Sequence, residues 1–127
     1  MKSTTTTKSP RHVLVVVTAK GCPACTAFHQ NWPSIKTQLN GVISIVEIQQ
    51  PSITNVFDRS KYPAGLDNYA GWFPTLLLVS RDEWKVDSTI SHAVVFNGDI
   101  VNGKAKMRQN RIQMNAQNLI NWINNSV

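Results

Sequence analysis

The sequence predicts an α/β domain with a central mixed sheet of about four strands flanked by helices, and three stretches carry that expectation. Val13 to Val17 is an unbroken apolar run, β-branched at every position but Leu14. A strand buried on both faces needs such a run, whereas a half-exposed strand would interrupt it with polar residues. From Pro23 onward Phe28, Ile35 and Leu39 fall on one helical face. Val42 to Ile48, VISIVEI, is a second β-branched run. A strand, a crossover helix and another strand of this size make a right-handed βαβ unit whose two strands are parallel.

The remaining elements follow in order. Thr18 to Gly21 ends the first strand, and Pro23 suits a first helical turn, which needs no N–H at that position. Pro33 inside the helix predicts a kink or a split near Trp32, because proline removes one hydrogen bond and clashes with the carbonyl four back. Asn40-Gly41 predicts the stop, with glycine left-handed. After Gln50-Pro51, Ile53, Val56 and Phe57 at i, i+3 and i+4 predict a short helix from Ile53 to Arg59. Ser60 to Gly71 has no clear period and reads as a long loop. Thr75 to Val79 is a third strand and Ala93 to Phe96 a fourth, separated by a polar, exposed stretch from Arg81 to Ser91. Asn97-Gly98 is a hairpin signal, with Ile100 and Val101 as a brief return strand before Asn102-Gly103. Ala116, Leu119, Ile120 and Ile123 mark one face of a terminal helix.

A chain of 127 residues, 42% hydrophobic, is long enough for one domain with a core and too short for two. Residues 1–11, with Lys2, Lys8, Arg11 and the run Thr4 to Thr7, read as a disordered basic leader, and 12–127 as the domain. The leader has no apolar run of the kind a secretory signal requires, and nothing approaches the ~18 apolar residues of a membrane span. The expectation is a soluble, cytoplasmic protein with no membrane partner. An acid-poor targeting segment is the alternative reading of the leader.

The formal charge is +6, and Lys104, Lys106, Arg108 and Arg111 form the densest basic cluster. A basic patch docks acidic partners or a phosphate backbone. With no aromatic interleaving and no Gly-rich phosphate loop, the cluster reads as a solvated loop rather than a nucleic-acid contact.

The two cysteines, Cys22 and Cys25, lie three positions apart, and a bridge closing so small a loop is a poor structural staple. Redox chemistry or metal binding explains such a pair better. Cys22 falls at a helix N-terminus, where unpaired amides and the positive end of the helix dipole stabilise a thiolate, with Lys20 adding charge. Two other readings stand beside this one. The pair can be ordinary buried cysteines, or Cys22, Cys25 and His29 can be three zinc ligands with His12 or His92 as a fourth. Glu47, inside an apolar strand, reads as an edge residue facing water, with a proton acceptor as the alternative.

CPAC in a strand–helix turn, followed about fifty residues later by Phe73-Pro74-Thr75 and LLLV, resembles the thioredoxin-like superfamily. The Val95 to Gly103 segment VFNGDIVNG is similar to the Asn-Gly turn after that family's last strand, and together the likeness spans residues 12 to 126. The resemblance implies a thioredoxin fold and a thiol-disulfide oxidoreductase that needs no cofactor and no metal. Cys22 would be the nucleophile and Cys25 the resolving thiol of a redox-active centre, alternating between a dithiol and a disulfide bond. It also implies a cis Pro74 lying against the dithiol, with Phe73 offering its backbone to a substrate strand and Tyr69 and Trp72 an apolar rim.

Val16 stands where thioredoxins carry a buried acid, and Gly21 where they carry a tryptophan. Pro23-Ala24 is closer to the Cys-Pro-x-Cys of glutaredoxins, although that family's glutathione-binding residues are absent or displaced. The expected substrates are therefore protein disulfides, acidic ones favoured by the net charge, with a reductase or glutathione as electron donor. The alternatives are a glutathione-dependent, glutaredoxin-like reductase and a redox-inactive protein-binding module of the same fold.

Overall fold

A computed structural model describes residues 10–54 and 56–127, so most of the expected leader lies outside the described residues. Strand β1 is His12–Ala19, helix α1 Pro23–Leu39 and strand β2 Ser44–Gln50. Helix α2 is Leu66–Tyr69, strand β3 Thr75–Ser80 and strand β4 Ala93–Val95. Strands β5, Gly98–Val101, and β6, Lys104–Met107, precede helix α3, Ala116–Ser126. The main sheet has the order β2-β1-β3-β4. β1 and β2 are parallel, β3 runs antiparallel to β1, and β4 antiparallel to β3. The result is the mixed four-stranded α/β architecture that the sequence predicts.

The uninterrupted Val13–Val17 run is explained by what lies on each side of β1. Leu14 and Val16 pack with Phe28, Trp32, Ile35 and Leu39 of α1 and with Leu119 and Ile123 of α3. Val13, Val15 and Val17 point the other way, into a second cluster with Phe57, Leu66, Tyr69 and Ile90. Because side chains alternate along a strand, a polar residue anywhere in the run would enter one core or the other.

Several expectations are corrected. α1 is not split at Pro33. Pro33 and His29, whose carbonyl loses its helical partner, both lie on the exposed face of the helix, where water can reach the freed carbonyl. The helix ends at Asn40 in a right-handed conformation, with the amides of Val42 and Ile43 returning to the Leu39 carbonyl, and Gly41 is not left-handed. No helix forms among the described residues of 53–59. Ile53 and Val56 are 59% and 81% exposed, so only Phe57 of the apparent apolar face has a core to enter. The Gln50 side-chain amide also donates to the Thr54 and Val56 carbonyls, at 3.1 and 2.9 Å, holding the chain in an irregular turn. The 60–71 loop contains α2, which inserts Leu66 and Tyr69 into the second core.

The hairpin is also displaced. β5 does not return along β4 through Asn97-Gly98; it pairs with β6 through Asn102-Gly103, with Val101 opposite Lys104. Asn102 and Gly103 have φ of 53° and 78°, the two left-handed residues that a two-residue hairpin turn requires. The basic cluster expected to be a loop is thus partly strand, and Arg108 is paired with Asp99 at 2.9 Å.

The 81–92 segment is tied to α2's approach by the Ile90 amide on the Ala64 carbonyl, at 2.8 Å. Next to this bond Gly65 adopts φ +90°, and a Cβ there would lie 2.9 Å from the Ile90 oxygen. Gly65→Ala is expected to lower stability by about 1–3 kcal/mol, since strain and a backbone clash act together. A denaturant midpoint unchanged from wild type would refute it.

Candidate active site

At the end of β1 the chain turns through Gly21, whose φ of +78° only glycine adopts without cost. Cys22 follows in an extended conformation, at φ −101° and ψ 109°, as the N-cap of α1, and Pro23 opens the first turn. The Cys22 sulfur replaces the hydroxyl or carboxylate of an ordinary cap, accepting the Cys25 amide at 3.1 Å. The Cys22 carbonyl accepts the Thr26 amide at 3.1 Å and the Thr26 hydroxyl at 3.3 Å, which locks the turn. The first turn carries no acidic residue to oppose a negative sulfur.

Both thiols are free. Cys22 is 7% exposed and Cys25 2%, so an approaching sulfur meets Cys22 first. Burial pushes the Cys25 thiol up to about 11, with its hydrogen bond to Cys22 adding to the rise and the Ala19 backbone opposing it. Cys25 is therefore a protonated thiol near neutral pH.

The second half of the site comes from the segment leading into β3. The Cys22 thiol donates to the Phe73 carbonyl at 3.6 Å, and the Phe73 ring packs on a small cluster of Ala19, Cys22 and Cys25. The Phe73-Pro74 peptide is cis. The Thr75 hydroxyl donates to the Trp72 carbonyl, fastening this loop to the start of the strand.

Trp72 is half-buried, and its ring lies so near Gly98 that a Cβ there would be 2.8 Å from the indole. Tyr69 is not brought to the dithiol. It is 5% exposed in the second core, where burial and the Glu83 carboxylate push its hydroxyl up from the usual value.

The candidate ligand and acid residues lie elsewhere. His29 is exposed and sets its ring edge-on to Phe28, and among the described residues no group of three or more His, Cys, Asp or Glu is arranged to hold a metal ion. Val16 is buried on the α1 side of the sheet. Glu47 pairs in register with Val16 but sits on the edge strand β2. Its carboxylate accepts from Trp32 Nε1 at 2.7 Å and from Lys36 Nζ at 2.5 Å. Burial raises Glu47, yet these two donors outweigh it and hold the carboxyl below its usual value. Trp32 is seven residues beyond Cys25, about 10 Å along the helix, so Glu47 is committed away from the dithiol.

The sequence reading misses one wall of the site. Phe73 and Pro74 line a cleft of ≈ 210 Å³ together with Met107, Arg111 and Met114. Asn102-Gly103 between short β-compatible stretches was the available signal for the hairpin that delivers Met107. Among the described residues no helix is long and apolar enough to cross a membrane. No family model matches this chain, and no curated protein matches it.

Proposed function

We propose that this chain is a thiol-disulfide oxidoreductase of the thioredoxin type, reducing or exchanging protein disulfides through the Cys22/Cys25 dithiol. The observation that carries the reading is the placement of Cys22: a sulfur at a helix N-cap, bonded to the Cys25 amide and 3.6 Å from the Phe73 carbonyl. The parallel β1–α1–β2 unit and the antiparallel β3 and β4 support a thioredoxin fold.

The chemistry follows from these contacts. A thiolate at Cys22 keeps the Cys25 amide as a donor, and that hydrogen bond strengthens when the acceptor is charged. It no longer donates to Phe73, so the Phe73 carbonyl becomes available to an amide of an incoming extended chain. The thiolate attacks one sulfur of the substrate disulfide and the other leaves as a thiolate that takes a proton from water, giving a mixed disulfide at Cys22. Cys25 then loses its proton and attacks Cys22. The substrate's second thiol is released, and the two electrons that reduce the substrate leave a Cys22–Cys25 disulfide.

Insulin disulfide reduction with dithiothreitol as donor tests the activity. Turnover above the dithiothreitol background is expected, with Phe73→Ala lowering it. Brief iodoacetamide treatment of the reduced protein should label Cys22 ahead of Cys25. Labelling of Cys25 first would reverse the roles, and efficient turnover of a glutathionylated small substrate with no action on insulin would replace the proposal by a glutaredoxin-like one.

A further inference from the structure

We infer that the cleft beside the dithiol reads the substrate chain, taking an apolar side chain close to the disulfide cysteine and selecting a neighbouring acidic residue through Arg111. This rests on the oxidoreductase reading and specifies its substrate class. The cleft is reached directly from the reacting sulfur, because Phe73 both accepts from Cys22 and forms part of the cleft lining, as does Ala24, two residues after Cys22. An extended chain advances about 3.3 Å per residue, so a peptide held at Cys22 and the Phe73 carbonyl brings the residues beside its own cysteine toward the cleft.

Size separates the possible occupants. At ≈ 210 Å³ the cleft holds about seven waters at ~30 Å³ each, which suits one large side chain and falls short of the ~300–1,000 Å³ that drug-sized ligands and cofactors fill. Most of its lining is apolar, Trp72, Phe73, Phe96 and the thioethers of Met107 and Met114 being joined by the polar Asn97 and Arg111. Methionine's unbranched, polarisable chain adapts to differently shaped side chains.

The wall that carries Arg111 is held in place before any ligand arrives. Asn97, at φ 60°, donates from Nδ2 to the Ile112 carbonyl at 2.9 Å and accepts the Ile112 amide at 3.0 Å, while its own carbonyl accepts the Arg108 amide at 2.9 Å. These three bonds fix the 108–112 segment that carries Arg111.

Arg111 is the charged group of this wall. It is exposed, and among the described residues it has no carboxylate partner; one of its nitrogens donates to Met107 Sδ at 3.1 Å, a weak acceptor. Asp99, the acid on the same hairpin, is taken by Arg108. An incoming carboxylate thus meets a guanidinium fork whose strong donor positions are unused, on a protein of net charge +6.

The test uses short peptides whose single cysteine is activated as a 2-pyridyl disulfide. Attack by Cys22 on the peptide sulfur releases 2-thiopyridone, which is read by absorbance. One peptide carries leucine and glutamate beside the cysteine, a second leucine and lysine, and a third serine and glutamate. At low salt the reduced protein is expected to react about two- to fivefold faster with the leucine–glutamate peptide than with the leucine–lysine one. Replacing leucine by serine should slow it several-fold. Arg111→Glu should invert the charge preference. Lys104→Glu makes the same change in net charge on β6 at a residue outside the cleft lining, and should leave the preference in place. A preference that persists in Arg111→Glu, or that falls equally in Lys104→Glu, overturns the inference. Reaction with 2,2′-dithiodipyridine alone separates the two levels. A protein whose Cys22 does not react with it loses both the cleft and the oxidoreductase reading, whereas normal reaction with no peptide preference removes the cleft alone.

Discussion

Cys22→Ser is expected to reduce insulin disulfide reduction to the rate of dithiothreitol alone, while Cys25→Ala captures substrate and then stalls. Serine at the N-cap keeps a donor for the Phe73 carbonyl and an acceptor for the Cys25 amide, so the turn persists and only the nucleophile is lost. An alcohol does not attack a disulfide at neutral pH. Alanine at position 25 leaves no polar atom in a site that is 2% exposed, so it removes the resolving sulfur without burying an unpaired group. In a single turnover without added thiol, wild type should release both substrate thiols. Cys25→Ala should release one and retain the other on Cys22, visible as a mass increase that dithiothreitol removes. A Cys22→Ser protein with wild-type turnover, or a Cys25→Ala protein releasing both thiols, would sink the assignment.

How much of this was legible in the sequence depended on whether the signal was local. The Val13–Val17 run names a two-sided strand because each methyl-bearing side chain has a core to enter, and CPAC names a helix start because proline's missing N–H fits the first turn. Both are decided within a few residues.

The Ile53–Arg59 segment shows the converse. Its i, i+3, i+4 pattern is real, but a pattern becomes a helix only where a core accepts the face, and here the Gln50 side chain competes for the carbonyls. Asn97-Gly98 and Asn102-Gly103 are equivalent turn dipeptides on sequence, and tertiary bonding separates them. Asn97 spends its side chain and carbonyl on 108–112, which leaves Asn102-Gly103 to make the hairpin. Tyr69 and Trp72 were equally placed by sequence beside the Phe73 segment. The four-residue α2 turns Tyr69 into the core and leaves Trp72 over Gly98 at the cleft.

The release of substrate, unlike its capture, is expected to accelerate about tenfold per pH unit between about pH 7 and 9. Cys25, the proposed resolving thiol, is pushed up to about 11, chiefly because burial disfavours its thiolate. In the reduced dithiol that value leaves about one thiolate in ten thousand at pH 7 and one in a hundred at pH 9, and only the thiolate attacks. Forming the mixed disulfide removes the hydrogen bond and the charge contributed by Cys22 but leaves the burial, so the direction of the shift survives in the intermediate. Among the described residues no carboxylate relieves it: Val16 is apolar, and Glu47 is held by Lys36 and Trp32 two helical turns from Cys25. Glu47→Gln should accordingly leave the slope unchanged.

Val16→Asp places an acid where the proposed thioredoxin likeness would put one, and in variants that fold it should raise the pH 7 rate and flatten the profile. A buried carboxylate costs several kcal/mol when unpaired, so a cooperative unfolding transition must be shown first. The measurement is the rate of second-thiol release from protein preloaded at Cys22, followed from pH 6 to 10. A flat wild-type profile over that range would mean that a group of this chain takes the Cys25 proton after all, and a slope that appears only in Glu47→Gln would name Glu47 as that group.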